Sequence, residues 1–472
     1  MRVIVLGAGP AGLTAAYELS KAGVAASVFE KDGEVGGIAR TINYKNYLFD
    51  IGGHRFFSKF KEVRDIWNEI LPDDFLTRPR LSRIYYNGKF FFYPLKPWNA
   101  LSNLGFLTSL SVGASYIRSQ VRPYRQVQNF EQWVTNKFGK KLFEIFFRTY
   151  TEKVWGISCQ EIQADWAAQR IKSLSLGKAV MDALGLMKKT KITTLIDEFL
   201  YPRKGPGQIW QKAAERVKEM GGTIALRSRL LRFGREGNRI RSAVICTDGR
   251  EEAIDGDHFL SSIPLSELVG RMDPPAPPGI LDAARGLRYR DFFTVGLVIR
   301  KRDIFPDNWI YIHSPEVLVA RVQNFKNWSP GMVPDPEMSS LGLEYFCFET
   351  DPIWRRTNAD LIKMATAEVE KLNFSKRQDI VDAIVIRSPK TYPIYDQGYK
   401  ERIEAIKGYL GTIENLQTIG RNGLHRYNNQ DHSMLTAILA VRNILGGRYN
   451  VWDVNVEDEY HEIAEQDDFP AA

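Results

Sequence analysis

Gly7, Gly9 and Gly12 have the spacing of a phosphate-binding turn between a strand and a helix. A short β-branched run, residues 1–6, precedes them, and a stretch of helical composition follows. In such a turn the first glycine permits the tight bend, the second lets N–H groups approach a pyrophosphate, and the third lets the helix pack on the strand. Glu30 lies 18 residues after Gly12, where a carboxylate can accept both hydroxyls of a ribose. The pattern predicts a βαβ unit that binds a dinucleotide.

The residues after Glu30 indicate which dinucleotide this turn serves. Lys31 opens a loop in which Gly36 and Gly37 precede Arg40. This second glycine pair resembles the FAD fingerprint of the superfamily that contains amine oxidases, protoporphyrinogen oxidases and UDP-galactopyranose mutases. The resemblance implies FAD contacts from residues of both turns: Gly7, Gly9, Pro10, Ala11, Gly12, Glu30, Lys31, Gly36, Gly37 and Arg40. The alternative is an ordinary loop with two glycines and a solvated arginine.

A second glycine-containing segment lies near the end of the sequence. A short predicted strand runs into Gly420, and polar residues then lead to an apolar helix that starts near Ser433. The N–H groups at such a helix start can face a phosphate or the electron-rich edge of a flavin. The segment resembles the one that closes the nucleotide domain of UDP-galactopyranose mutases. That resemblance implies further cofactor contacts from Gly420, Arg421, Asn429, Gln430 and Ser433.

Three other segments also resemble the mutases. Gly53 and His54 lie in a loop similar to the mutases' histidine loop beside the flavin, which implies a cofactor contact from both and a catalytic role for His54. Trp155 and Arg170 lie in a stretch similar to the mutases' helical-domain motif. Arg321 precedes an Asn-Trp-Ser-Pro run similar to the segment that carries a diphosphate-binding arginine. The resemblance implies that Arg170 and Arg321 bind a pyrophosphate, because a guanidinium can contact phosphate oxygens bidentately.

Aromatic residues complete the predicted substrate site. We expect Tyr392, Tyr395 and Tyr427 to contact the substrate and Trp155 to line a base pocket. Each of these side chains has an alternative role in the packing of a core. For His54 the alternative is a structural loop histidine, and for the arginines it is a surface or salt-bridged position.

The resemblance implies a flavoenzyme that isomerises a nucleotide sugar between pyranose and furanose forms. FAD in its reduced form is expected to react through an N5–sugar adduct, so that the protein supplies binding, orientation and electrostatics rather than a side-chain nucleophile. The alternative is an FAD-dependent oxidoreductase similar to amine oxidases, protoporphyrinogen oxidases or desaturases, which needs a hydrophobic tunnel and a hydride-donating substrate. A flavin-binding protein without a reactive pocket is a third class.

The predicted fold class is α/β, with a Rossmann-type FAD-binding domain, a helical insertion and an antiparallel β-sheet substrate layer. We expect residues 1–75, 196–270 and 400–472 to form a discontinuous FAD-binding domain. Residues 76–195 read as the helical substrate domain, and residues 271–399 as the antiparallel sheet. The apolar spacing between residues 98 and 122 predicts one helix.

The composition bounds the partners. The chain has 472 residues, 44% of them hydrophobic and 25% charged, with a net charge of +8. The charge suits an anionic cofactor or phosphorylated substrate, and no basic run is long enough to indicate nucleic acid.

The three cysteines show no C-x-x-C pair, so neither a metal site nor a disulfide framework is predicted, and a reducing, cytoplasmic location is expected. No apolar run is long enough to span a membrane. The apolar stretch 104–117 is expected to be a domain helix, with a membrane-surface contact as the alternative, and an oligomer is compatible with the sequence.

Overall fold

The computed structural model describes residues 1–93, 95–164 and 197–455. Its strands, β1 to β20 in chain order, are Arg2–Leu6, Ala25–Phe29, Thr41–Tyr44, Tyr47–Asp50, Phe75–Pro79, Ser82–Tyr86, Lys89–Phe92, Glu198–Pro202, Thr223–Ala225, Ser228–Glu236, Arg239–Thr247, Arg250–Asp255, His258–Ser261, Met272–Asp273, Tyr289–Ile299, Trp309–Ile312, Arg321–Asn324, Ser339–Cys347, Ile380–Pro393 and Leu416–Thr418. Its α-helices, α1 to α15 in chain order, are Pro10–Lys21, Lys61–Ile70, Pro97–Leu104, Phe106–Val121, Phe130–Phe138, Lys140–Phe143, Thr149–Trp155, Gly207–Glu219, Leu265–Val269, Pro278–Arg285, Phe325–Trp328, Asn358–Lys371, Tyr399–Leu410, Gly420–Gly423 and Gln430–Ile444.

A five-stranded parallel sheet forms the nucleotide domain. Its strand order is β20-β13-β1-β2-β9, so strands from distant parts of the sequence lie side by side. The helices α1, α2, α8 and α15 pack on it around one apolar core that includes Leu13, Trp67, Trp210 and Met434. The carboxyl ends of parallel strands meet at one edge, which is where nucleotides bind in such sheets. The predicted Rossmann-type α/β fold is confirmed.

A seven-stranded sheet lies beside the nucleotide domain. Its order is β19-β15-β18-β17-β16-β6-β7, and every pair is antiparallel except β16 with β6. The central strand β15 is buried along its whole length. A smaller four-stranded sheet, β12-β11-β10-β14, covers the other side of the nucleotide domain through the core around Phe233 and Phe259.

The segment 76–195 contributes strands as well as helices. β6 and β7 form a hairpin that joins the large sheet, and its turn places Asn87 and Gly88 at φ values of 48° and 74°. An Asn-Gly pair favours such a turn because both residues tolerate positive φ. The expected single helix over residues 98–122 is two helices, α3 and α4, since the chain turns at Gly105, which has a φ of 82°.

A buried carboxyl, Asp50, joins the hairpin β3–β4 to β8. Thr41 Oγ1 donates a hydrogen bond to Asp50 Oδ1 over 2.8 Å, and the Tyr201 hydroxyl donates to Asp50 Oδ2. Burial raises the pKa of Asp50 to about 7, although both hydrogen bonds oppose the rise. Gly205 packs against this pair so closely that a Cβ there would lie 2.4 Å from Thr41 Oγ1. The cluster therefore fixes the strand that leads into the His54 loop.

Asp50→Asn should change how stability depends on pH. The unfolded chain releases the Asp50 proton at about pH 4, whereas the folded protein holds it to about pH 7. The wild-type protein therefore loses stability as the pH rises through this window, and the variant lacks that loss. We expect the melting temperature of the variant, relative to wild type, to rise between these pH values in calorimetric scans. A constant difference would show that Asp50 is ionised throughout.

Candidate active site

The two glycine turns of the nucleotide domain pack directly on each other. A Cβ on Gly12 would lie 1.8 Å from the carbonyl oxygen of Gly7, and a Cβ on Gly37 would lie 3.1 Å from the Cα of Gly9. The N–H of Gly36 donates to the carbonyl of Ala8 over 2.8 Å. Gly7 has a φ of 99°, in the region that favours glycine. Backbone without side chains thus lines the place where a pyrophosphate approaches the start of α1.

Charged groups at the end of β2 flank this cradle. Glu30 is buried, and its carboxylate accepts the N–H groups of Ala8 over 2.6 Å and Asp32 over 2.9 Å. Burial raises the pKa of Glu30, while these two hydrogen bonds lower it. Arg40 pairs with Asp32 over 2.6 Å, and Lys31 is exposed. Within the described ranges the buried Nε of Arg40 has no hydrogen-bond partner, so a donor is available to a phosphate.

The start of α15 lies next to the start of α1. Gly420 has a φ of 79°, its N–H donates to Thr436 Oγ1 over 2.9 Å, and a Cβ there would lie 2.9 Å from the Cβ of Ala11. Trp210 Nε1 donates to Gln430 Oε1 over 2.9 Å, and no described group forms a hydrogen bond with the buried Gln430 Nε2. Asn429 precedes α15, and Ser433 lies buried in its first turn. The two helix starts, the glycine cradle and the unpartnered donors fit FAD.

His54 joins this cradle to the large sheet. Its Nε2 lies 2.8 Å from the carbonyl of Ile51, and the carbonyl of Ile38, in the second glycine turn, also hydrogen-bonds the ring. Burial, together with the charges of Arg421 and Arg321, lowers the pKa of His54 to about 4. The imidazole is therefore neutral at physiological pH. Gly53 packs on Trp328, since a Cβ there would lie 3.1 Å from the indole.

Arg321 is held in a network with two buried residues of the large sheet, Glu344 and Gln323. Its Nε and a terminal nitrogen lie 2.7 Å and 2.5 Å from Glu344 Oε2, and Gln323 Nε2 donates to Glu344 Oε1 over 2.8 Å. Burial alone would lower the pKa of Arg321, but Glu344 raises it well above its ordinary value. Gly52 lies close to the guanidinium, and a Cβ there would be 3.6 Å from it. Arg321 is thus charged, rigid and adjacent to the His54 loop.

An aromatic stack lies near Arg321 and Arg421. Tyr392 and Tyr427 stack with centroids 5.4 Å apart, and the edge of Trp155 meets Tyr392 at 6.3 Å. The Arg421 guanidinium lies over both tyrosine rings, at 5.3 Å and 4.8 Å from their centroids. Its Nε donates to the carbonyl of Asn428 over 2.8 Å, and no carboxylate in the described part of the chain forms an ion pair with it.

The remaining predicted residues lie near these groups or outside the described chain. The Tyr395 hydroxyl accepts the N–H of Tyr427 over 2.6 Å, so Tyr395 supports the stack. Burial raises the pKa of Tyr392 to about 12, so its hydroxyl is protonated.

Arg170 lies outside the described residues. Among the residues that are described, no group of His, Cys, Asp and Glu could hold a metal ion.

The sequence analysis missed a group of arginines and tyrosines beside Arg321. We call Arg80, Tyr93, Tyr150, Tyr311 and Arg321 the arginine–tyrosine cluster. Tyr311 lies 5.1 Å from Tyr93 and 5.4 Å from Tyr150 between ring centroids, and Arg80 lies 5.7 Å from the ring of Tyr93.

Each residue of the cluster is partly exposed. Arg80 also lies 5.5 Å from the ring of Trp309, and Arg55 lies 5.7 Å from the same ring. Alternation along β16 places Trp309 and Tyr311 on one face. This alternation is the part of the cluster that the sequence could have predicted.

Comparisons with known proteins agree with this architecture. The family described as flavin-containing amine oxidoreductases matches residues 10–358. A 15-cis-phytoene desaturase of Synechococcus elongatus is 24% identical over 398 residues, which cover 79% of this chain and 80% of that protein. A reduced UDP-galactopyranose mutase superposes with a TM-score of 0.82 at 21% identity, over 96% of this chain and 97% of its own. A putrescine oxidase bound to putrescine gives 0.62 at 15% identity, over 95% and 100%. The structural likenesses show the fold.

Substitutions at two glycines should separate folding from cofactor binding. In Gly12→Ala the new methyl group clashes with the backbone of Gly7, so we expect a loss of about 1–3 kcal/mol in the free energy of unfolding. In Gly9→Ala the Cβ meets only Gly37 Cα at 3.8 Å, so the protein should fold normally but retain less flavin. Thermal melts of flavin-free protein and the visible flavin absorbance measure the two effects. Equal flavin retention by Gly9→Ala and wild type would place the pyrophosphate elsewhere.

Proposed function

The chain belongs to the family of flavin-containing amine oxidoreductases, and from this premise we propose that it is an FAD-dependent mutase acting on a nucleotide sugar. The supporting observation is the position of neutral His54 between the second glycine turn and two guanidiniums, those of Arg321 and Arg421. This arrangement sets an anion-binding surface directly beside the flavin cradle. Pyranose and furanose forms of the sugar are the expected substrate and product.

The arginine–tyrosine cluster suits a nucleoside diphosphate. Arg321 forms an ion pair with Glu344, and the net charge of this pair is close to zero. Arg80 supplies a second cation beside aromatic rings, including that of Tyr93. A nucleotide sugar carries a diphosphate for guanidiniums and a flat base for aromatic faces. The positive charge of Arg80 beside these rings favours an anionic group over a cationic amine.

The protein's own groups orient the reaction and stabilise charge. When bound and reduced, FAD supplies the nucleophile for the anomeric carbon of the sugar, and no net oxidation results. Arg421 stands beside the Tyr392–Tyr427 stack without a carboxylate partner among the described residues, so it can stabilise negative charge on the reduced ring. The neutral His54 adds no competing charge. The protonated Tyr392 hydroxyl can donate a hydrogen bond to the substrate.

The location of this reaction is also a proposal. The cysteines Cys159, Cys246 and Cys347 are all free, which suits a reducing, cytoplasmic compartment. No helix among the described residues is long and apolar enough to cross a membrane.

Isomerisation by the reduced enzyme is the direct test. Dithionite-reduced holoenzyme, incubated without oxygen, should interconvert UDP-galactopyranose and UDP-galactofuranose, and chromatography would separate the products. The oxidised enzyme should be inactive. The double variant Arg321→Gln/Glu344→Gln keeps the packing without leaving a buried charge, and it should lose about 10- to 100-fold in kcat/KM.

The exposed Arg302→Gln is the matched control and should retain full activity. Failure of a panel of UDP- and dTDP-sugars, with the flavin still bound, would contradict the proposal.

Arg421→Gln should lower the reduction potential of the bound flavin. Removing an uncompensated cation destabilises the anionic reduced state, so we expect a shift of tens of millivolts to more negative values. Arg442→Gln, at the far end of α15 and ion-paired with Glu62, is the control and should not shift the potential. Equilibration with redox dyes measures both. A potential unchanged by Arg421→Gln would place this arginine away from the flavin ring.

An oxidoreductase remains the second candidate because the family that matches residues 10–358 is described as flavin-containing amine oxidoreductases. The apolar hollow lined by Trp155, Ile157, Ile162, Ile394 and Tyr395 has a volume of about 10 Å³, which is too small for a hydrophobic substrate. The two functions differ in the source of electrons. An oxidoreductase would reduce its flavin with an amine or a porphyrinogen and then consume oxygen, without dithionite. A flavin-binding protein without catalysis would do neither.

A further inference from the structure

Helix α4 carries its apolar residues on the outer surface of the protein. Phe106, Leu107, Leu110, Ile117 and Val121 are 82%, 80%, 63%, 63% and 73% exposed. Apart from Phe106 they follow the spacing i, i+3, i+10, i+14, so they form one stripe along the helix.

The opposite face of α4, which packs on the protein, contains the buried Val112 and Ser119. We call the five large exposed apolar residues of α4 the outer stripe. A contiguous apolar surface of this kind marks an interaction site.

The sequence on both sides of α4 carries charge of one sign. Between Asp74 and Glu131 the sequence contains eight basic residues and no acidic residue. Three of them, Arg118, Arg122 and Arg125, lie at the end of α4 or just after it. Arg118 and Arg122 border a shallow hollow on the stripe with Ile117 and Val121. Long arginine side chains can lie along apolar surface while their charged ends stay in a polar layer.

A second copy of the chain fits this surface poorly. An isologous dimer through the outer stripe would bring the same basic segment of both copies together, and like charges across an interface oppose association. An anionic bilayer offers the complementary arrangement, with acyl chains for the stripe and phosphates for the arginines. We propose that α4 docks the protein on the surface of an anionic membrane, with the outer stripe inserted at the headgroup boundary. This inference does not depend on the reaction proposed above.

Sedimentation with lipid vesicles tests the docking. FAD-loaded protein should bind vesicles of phosphatidylcholine and phosphatidylglycerol, bind vesicles of phosphatidylcholine alone weakly, and dissociate as salt is added. Leu110→Glu or Ile117→Glu should each lower the ratio of bound to free protein about tenfold. Val381→Glu, which changes a 41%-exposed valine on β19, is the matched control and should bind like wild type.

The charge is tested separately. Replacement of Arg118, Arg122 and Arg125 by Gln should reduce binding to the anionic vesicles about fivefold for each arginine, without affecting the weak binding to phosphatidylcholine. Retained flavin shows that each variant is folded.

Two results would overturn the proposal. Vesicle binding that is absent, or unaffected by substitutions in the outer stripe, would remove the membrane role. A dimer in size-exclusion chromatography that Ile117→Glu converts to a monomer, without vesicle binding by the wild-type protein, would assign the stripe to a second copy of the chain.

Discussion

The close contact between two backbone turns is the constraint on which the site depends. A Cβ on Gly12 would clash with the carbonyl of Gly7, and a Cβ on Gly37 would lie 3.1 Å from the Cα of Gly9. This contact sets the second glycine turn beside the start of α1, and the carbonyl of Ile38 in that turn then hydrogen-bonds the His54 ring. The position of the His54 loop is thereby tied to the glycine cradle at the start of α1. A shift of either turn would move both.

Electrostatics at the junction of the two sheets follow from this arrangement. Burial, together with the nearby charges of Arg421 and Arg321, lowers the pKa of the part-buried His54. Arg321 tolerates burial because Glu344 pairs with it, whereas Arg421 lies over two tyrosine rings. The result is one compensated and one uncompensated guanidinium near a neutral imidazole. This arrangement is the basis of the proposal that the site takes an anionic substrate.

The sequence predicted the parts of the site that depend on local spacing. The glycine turns, Glu30 and the segment from Gly420 to Ser433 have signals within short stretches, because each needs a particular backbone path. The predicted residues Trp155, Tyr392 and Tyr427 do lie together, although their roles are still predictions. The pairing of Arg321 with Glu344 joins adjacent strands, β17 and β18, and has no local signal.

Contacts between distant segments were beyond the sequence reasoning. The arginine–tyrosine cluster combines residues more than 200 positions apart, such as Arg80 and Tyr311, which only the order of the seven-stranded sheet brings close. The Asn87-Gly88 pair could have predicted the β6–β7 hairpin. No sequence pattern predicts the pairing of β6 with β16. The outer stripe of α4 has a helical spacing that also suits a buried helix, so exposure could be read only from the fold.

The central claim is that an anion-binding surface for a nucleoside diphosphate lies beside the flavin. Calorimetric titration of UDP into the FAD-loaded protein, with the visible flavin spectrum recorded in parallel, tests it most directly. We predict saturable binding that weakens with salt, perturbs the flavin absorbance and is lost in the Arg321→Gln/Glu344→Gln variant. The absence of heat and of any spectral change with UDP and other nucleoside diphosphates, in protein that retains its flavin, would contradict the account.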